Sequence, residues 1–227
     1  MRAESHTQLL QTLYRRLYDA YGRQHWWPGD TPFEVMVGAV LTQNTAWINV
    51  ERAIANLKQA QKLDLPAMQR MHESRLAALI RPAGYFNVKA RRLKHLCRWL
   101  SRNGGVRQLS NWPTPELRTA LLAVHGVGPE TADDILLYAF QRPVFVIDAY
   151  TRRLLRAHGL IHGNEPYEML RAFFEDALAP DVDIYNEYHA LIVRHAKEKC
   201  RSDADCLHCM VEAPLKPGTG YGGGGAK

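Results

Sequence analysis

No stretch of the 227 residues comes near the 18 consecutive apolar residues that a membrane span needs. No long apolar/polar alternation is present either, and "PVFVI" at 143–147, the one strand-like run, is too short to build a sheet alone. The first absence excludes a spanning helix, and the second an all-β fold. The N-terminal "MRAESHTQLLQTLYRRLYDAYG" scatters acids and bases through what would have to be the apolar core of a signal peptide, so a cytoplasmic protein is expected. Cysteine is scarce: three of the four, Cys200, Cys206 and Cys209, fall within ten residues. That crowding argues against a disulfide framework and raises a metal or cluster site instead. No internal repeat or interior low-complexity segment occurs. The last residues, "KPGTGYGGGGAK", read as a disordered glycine-rich tail over 213–227.

What is present is helical periodicity. Leu9, Leu10, Leu13, Leu17 and Tyr18 recur at helical spacing, as do Phe33, Met36, Val37, Val40 and Leu41, and then Leu117, Ala120, Leu121 and Val124. Turn chemistry separates the runs at "WWPGDTP", "RPAGYFN", "RNGG", "NWPTPE", "HGNEP" and "APDVD". At 46% hydrophobic residues the chain can bury a core as one large or two small domains. A net charge of +6, with ten histidines uncounted, favours a polyanionic partner without proving one.

The densest chemistry lies in "HGVGPETADDILLYAFQRPVFVIDAYTRRL". Gly126 and Gly128 allow positive φ and close approach of backbone to a ligand, and Pro129 suits the first turn of a helix. The helix beginning "ETADD" would then present free N–H groups and its dipole to an anion, a phosphate being the natural occupant. Ordinary glycine capping of a helical corner explains the same residues. Asp148 follows five apolar or β-branched residues, so its carboxylate is expected in a partly dry site; it is equally a favoured N-cap for "AYTRRLL".

"VHGVGPETADDILLYAFQRPVFVIDAYTRRLLRAHGL" resembles the helix-hairpin-helix motif, Gly/Pro-rich loop and aspartate of the endonuclease III superfamily of DNA glycosylases. "FEVMVGAVLTQNTAWINVERAIANL" resembles that superfamily's N-terminal segment, and the likeness runs over about residues 8 to 210. Within it, "WWPGDTPFE", "GAVLTQNT" and "RPAGYFNVKARRL" are most similar to the 3-methyladenine glycosylases of that branch.

The resemblance implies an all-α, two-lobed fold with a DNA-binding cleft between lobes. One would be a continuous domain over 29–147 containing the hairpin, and the other 1–28 plus 148–212 with a C-terminal cysteine loop. It implies a monomer acting on double-stranded DNA that contains a damaged base, with no membrane partner. The hairpin, His125, Gly126, Val127, Gly128 and Thr131, would hold backbone phosphates, and the base would be flipped out of the stack. Asp148 would stabilise the positive charge on the sugar as the N-glycosidic bond breaks, or activate the attacking water.

Bifunctional members carry a lysine two residues after the second hairpin glycine, where it forms a Schiff base with the sugar. Here that residue is Glu130, and no lysine lies near it in "HGVGPETADDILLYAF", so the implied enzyme removes the base and leaves the strand intact. Glu130 could accept a hydrogen bond from the base or oppose a cationic one; it could equally be a first-turn acid favoured by the helix dipole.

Trp26, Trp27, Pro28 and Trp47 match positions whose aromatics sandwich the flipped base, and a cationic alkylated purine gains a cation–π attraction on an indole face. Trp99 and Trp112 read as structural. Gln43 would fill the gap left in the duplex, or cap a helix end with Asn44. The lysines of "NVKARRLK" read as phosphate contacts or a solvated helix face, and Cys97 as a buried helix cysteine.

Many members bind a [4Fe–4S] cluster through four cysteines. This chain offers Cys200, Cys206 and Cys209 only, an incomplete set that fits either an unusual cluster or a relic, with Cys3His zinc through His208 as a further arrangement. Two other functions stay open: a related glycosylase for oxidised or mismatched pyrimidines, and a non-catalytic DNA-binding relative.

Overall fold

The computed structural model of the protein describes residues 6–26 and 29–199, and among them every regular element is helical. No described helix is long and apolar enough to cross a membrane. The chain divides into two compact units, residues 1–26 with 143–227, and residues 27–142.

The first unit contains α1 (His6–Tyr21), α10 (Ala149–Ala157), α11 (Tyr167–Glu175) and α12 (Val182–Glu198). The expected stripe of α1 is buried at Leu9, Leu10, Leu13 and Leu17, whereas Tyr18 turns out to be exposed and lies beyond its edge. The core centres on aromatics: Phe145 stacks on Phe174 at 4.0 Å, and Tyr185 and Tyr188 meet Phe145 edge-on at 5.5 and 5.8 Å. Such pairs add about 0.5–1.5 kcal/mol each beyond their burial. The Tyr188 hydroxyl donates to the Leu10 carbonyl across 2.9 Å, tying α12 to α1.

"PVFVI" is extended but pairs with no strand. Side chains take its buried N–H groups instead: Phe145 N donates to Glu175 Oε1 at 2.9 Å and Ile147 N to the Tyr167 hydroxyl at 3.3 Å. Buried amides must find acceptors somewhere. Here α11 supplies them, and the segment ending at Asp148 is held at two points.

The second unit contains α2 (Pro32–Leu41), α3 (Trp47–Gln59), α4 (Leu65–Arg70), α5 (Glu73–Leu79), α6 (Phe86–Arg102), α7 (Gly105–Leu109), α8 (Thr114–Leu122) and α9 (Pro129–Asp134), with a 3-10 turn at Arg81–Ala83. α2 is buried on all sides from Phe33 to Leu41, as expected of a central helix without a polar face. Thr31 caps it by accepting from Glu34 N at 3.1 Å. The helix begun by "ETADD" does not run through as one α-helix: after α9 it widens into a π-turn, Ile135–Ala139, which packs on α2. Arg118 on α8 forks onto Asp133 on α9, Nε to Oδ1 at 2.7 Å and Nη2 to Oδ2 at 3.0 Å, and Asp133 is fully buried. This bidentate pair locks the two helices of the hairpin together.

Neither lysine of "NVKARRLK" has the expected solvated role. Lys89 on α6 is 1% exposed, and its Nζ donates to Leu41 O and Ala83 O, both at 2.8 Å, and to the Thr45 hydroxyl. Burial, with a smaller push from the Arg92 guanidinium, draws its pKa down to about 8, so it still carries its proton at neutral pH. Lys94 donates to the carbonyls of Met68, Gln69 and Met71 at 3.1, 2.6 and 2.6 Å. Each ammonium therefore satisfies the orphan carbonyls that end a neighbouring helix. Lys89→Met leaves those acceptors buried and unmet. It should cost about 3 kcal/mol, a fall on the order of 10 °C in thermal midpoint, with Lys94→Met costing less because its surroundings are wetter. Equal losses measured by thermal unfolding would contradict this.

Candidate active site

Asp148 opens α10 as its N-cap. With φ −101° and ψ −178°, its backbone is extended, which aims the side chain back over the first turn. Oδ1 accepts from Thr151 N at 2.7 Å and from Thr151 Oγ1 at 2.9 Å, while Oδ2 lies 3.5 Å from His189 Nε2 on α12. Burial by itself would raise the pKa of this carboxyl. The charge and hydrogen bonding of His189 and the two Thr151 donors outweigh it, so the group sits below the ordinary aspartate value and is an anion at neutral pH. Capping and a mostly shielded, ionised carboxylate thus coexist in one residue.

Lys197 brings a cation to the same place. Its Nζ lies 5.8 Å from the centre of the Trp26 ring and 5.4 Å from that of Tyr150. Burial lowers the Lys197 pKa, and the Asp148 charge pulls it part of the way back. Trp26, Tyr150, Lys197, His189 and Asp148 therefore form one neighbourhood within the first unit.

The hairpin belongs to the second unit. Gly126 has φ +93°, and a Cβ there would collide with the Cβ, Cγ and Cδ of Arg92. Gly128 is different: its backbone is extended, it caps α9, and a Cβ would meet nothing within 4 Å. The positive φ anticipated for both glycines occurs only at the first. Val127 is buried, and His125, Gly128 and Glu130 are exposed.

Gln43 reaches this turn from the end of α2, its Nε2 donating to Gly126 O at 3.1 Å and Thr131 Oγ1 at 2.8 Å, while Arg92 donates to its Oε1. Asn44 follows, exposed and left-handed at φ 52°. His125 lies beside His95 of α6 with ring centres 4.9 Å apart and the rings tilted by 46°. Gln43, Gly126, Thr131 and Arg92 are thus joined by direct contacts. Trp47 stands apart from them: its Nε1 donates to Glu51 Oε1 at 2.8 Å, and it lines a cavity of about 240 Å³ with Glu34, Gly38, Glu51, Ile54, Ala55 and Lys58.

The sequence profile of the HhH-GPD superfamily, base excision DNA repair proteins, matches residues 37–180. The chain belongs to this superfamily. A protein of Methanocaldococcus jannaschii provisionally named a DNA repair glycosylase is 45% identical over 92% of this chain and 96% of its own. The endonuclease III of Thermotoga maritima is 25% identical over 90% of this chain and 91% of its own. The crystal structure of the H. pylori 3-methyladenine DNA glycosylase bound to 1,N6-ethenoadenine aligns with a TM-score of 0.73 and 29% identity, over 86% of this chain and 98% of that one. The protein is an enzyme of this superfamily, a DNA glycosylase with its all-helical fold.

For this glycosylase, Trp27, Pro28, Cys200, Cys206, Cys209 and the glycine-rich tail lie outside the described residues. Among the described residues no group of three His, Cys, Asp or Glu could hold a metal ion. The fourth cysteine, Cys97, is buried in α6, and burial pushes its thiol up to about 12, which leaves it no thiolate to offer. Cys200, Cys206 and Cys209 are then the remaining cysteines, one fewer than the four thiolates such a cluster commonly takes.

Arg92, His189 and Lys197 escape a reading of the sequence. Arg92 looks like any surface arginine of "KARRLK", and His189 and Lys197 lie some 40 residues or more after Asp148 with no local pattern to link them. The Arg118–Asp133 fork is equally silent. The two hairpin glycines yield a direct contrast. Gly126→Ala should lower thermal stability by about 1–3 kcal/mol through its strained φ and the clash with Arg92. Gly128→Ala should keep the fold and weaken binding to duplex DNA, as read by fluorescence anisotropy. Equal thermal midpoints for the two variants would contradict the assignment.

Proposed function

We propose that this glycosylase excises an alkylated, 3-methyladenine-like base from double-stranded DNA by hydrolysis, without cutting the strand. The observation that carries the chemistry is the Asp148 carboxylate, mostly shielded from solvent yet ionised at the head of α10. As the bond between C1′ and the base nitrogen breaks, its electron pair leaves with the base and C1′ becomes cationic. A fixed anion in a water-poor site stabilises that charge far more than solvent does. Water then bonds to C1′, and its proton passes to the Asp148 carboxylate and on to solvent.

The absence of strand cutting rests on Glu130. A carboxylate forms no imine, and residues 121–140 contain no lysine. Backbone phosphates would lie against the hairpin and the basic face of α6, where Arg92 packs on Gly126 and Arg98 bonds His95 at 3.1 Å. A cationic base is favoured by the hydrogen bond from Trp47 to Glu51, which leaves the indole face richer in electrons, and by Glu130 itself. The likeness to the H. pylori 3-methyladenine enzyme supports the same substrate class.

The test is a single-turnover incubation with methylated duplex DNA, scoring released bases separately from strand breaks. Free 3-methyladenine with strands intact until alkali is added is the expected result. Asp148→Asn should slow release about 10²- to 10⁴-fold. Strand cleavage without alkali would contradict the role of Glu130, and release confined to oxidised or mismatched bases would contradict the substrate class.

A further inference from the structure

We propose that His189 is a positioning residue for this reaction: from α12 it holds the Asp148 carboxylate by Oδ2 and keeps that oxygen anionic beside the sugar. The inference rests on Asp148 being the group that faces C1′.

Its first support is burial. His189 is 4% exposed on a helix whose inward side is Tyr185, Tyr188, Leu191 and Ile192. Packing alone would be served as well by leucine, and an imidazole in such a place needs a polar partner. That partner is Asp148, 3.5 Å from Nε2, an ion-pair distance rather than a short hydrogen bond.

The second support is the division of labour between the two carboxylate oxygens. Thr151 takes Oδ1 with its N–H and its hydroxyl, both from the first turn of α10. Oδ2 faces α12. Held from two helices, the carboxyl neither rotates nor turns its anionic edge away from the substrate. An anion stabilises a transient cation only if it is already in place when the charge appears.

Other charged and titratable groups nearby have contacts of their own. Arg153 on α10 donates to Ala196 O at 2.8 Å and Arg152 to Glu165 O at 2.8 Å. From α1, the Tyr21 hydroxyl bonds His195 Nδ1 at 2.9 Å, Tyr14 packs on Tyr188, and Glu187 accepts from Gln24 N. Lys197 acts on Asp148 through its field while lying over Trp26 and Tyr150. His189 lies within ion-pair distance of Asp148.

The experiment compares wild type, His189→Gln, His189→Leu, Asp148→Asn and the His189→Gln/Asp148→Asn double variant. It uses single-turnover base release from methylated duplex across pH, with affinity for a duplex holding an abasic-site analogue measured beside it. Glutamine keeps a neutral donor and cannot take up a proton in acid; leucine removes the donor as well. At neutral pH His189→Gln should slow release about 10- to 100-fold with DNA affinity unchanged, and His189→Leu should slow it more. The acid limb of the rate profile should move to higher pH in His189→Gln, because burial of the carboxyl is no longer countered by charge. The double variant should be no slower than Asp148→Asn, since the histidine acts through the aspartate. Losses that multiply in the double variant, or a His189→Gln profile identical to wild type, would overturn the proposal. If leucine unfolds the protein, the glutamine profile decides alone. An Asp148→Asn variant as fast as wild type would instead overturn the catalytic reading itself.

Discussion

The carboxylate of Asp148 has two demands on it that would conflict in most settings. It must satisfy the first free amides of α10, which calls for an acceptor, and it must stay charged in a site with little water, which burial opposes. The structure meets both by surrounding one small group with donors: two from Thr151, and the His189 imidazole 3.5 Å from the other oxygen. Its backbone is fixed just as firmly, because the preceding extended segment hangs from Glu175 and Tyr167 by its own N–H groups. A run of β-branched residues that would otherwise seek a strand partner is thereby made into a rigid arm ending at Asp148.

In the second unit the comparable constraint is the hairpin. Its helices are fused by the Arg118–Asp133 fork, and its turn is clasped by Gln43 and Arg92. The loop after α2 is held in turn by the Lys89 ammonium, which binds the end of that helix, Thr45 and the 3-10 turn. Polar groups of a protein that meets a polyanion are thus spent partly on rigidity. A turn that is already formed loses little further conformational freedom when it meets a partner.

Much of this was legible in the chain. The helical stripes of α1, α2 and α8, the breaks between them, the glycine turn and the acid after "PVFVI" are local patterns, and local patterns survive folding. What was not legible depends on partners distant in sequence. Lys89 and Lys94 sit in a stretch that reads as a basic surface, yet the carbonyl ends of α2 and α4 draw both of them in. Gly128 looks like a second left-handed glycine and is extended, since Gly126 alone makes the turn. The helix after Pro129 reads as continuous, but it changes pitch at Ile135 where it packs on α2. His189, 41 positions after Asp148, could not have been paired with it by spacing at all.

The account turns on the charge of one side chain, so the most direct measurement is a carbon-detected NMR titration of the Asp148 carboxyl in the free enzyme. A midpoint below the ordinary aspartate value, shifting upward when His189 is replaced, is the predicted result. A midpoint above that value would mean a carboxyl that burial keeps neutral, and with it a reaction that does not depend on a preformed anion.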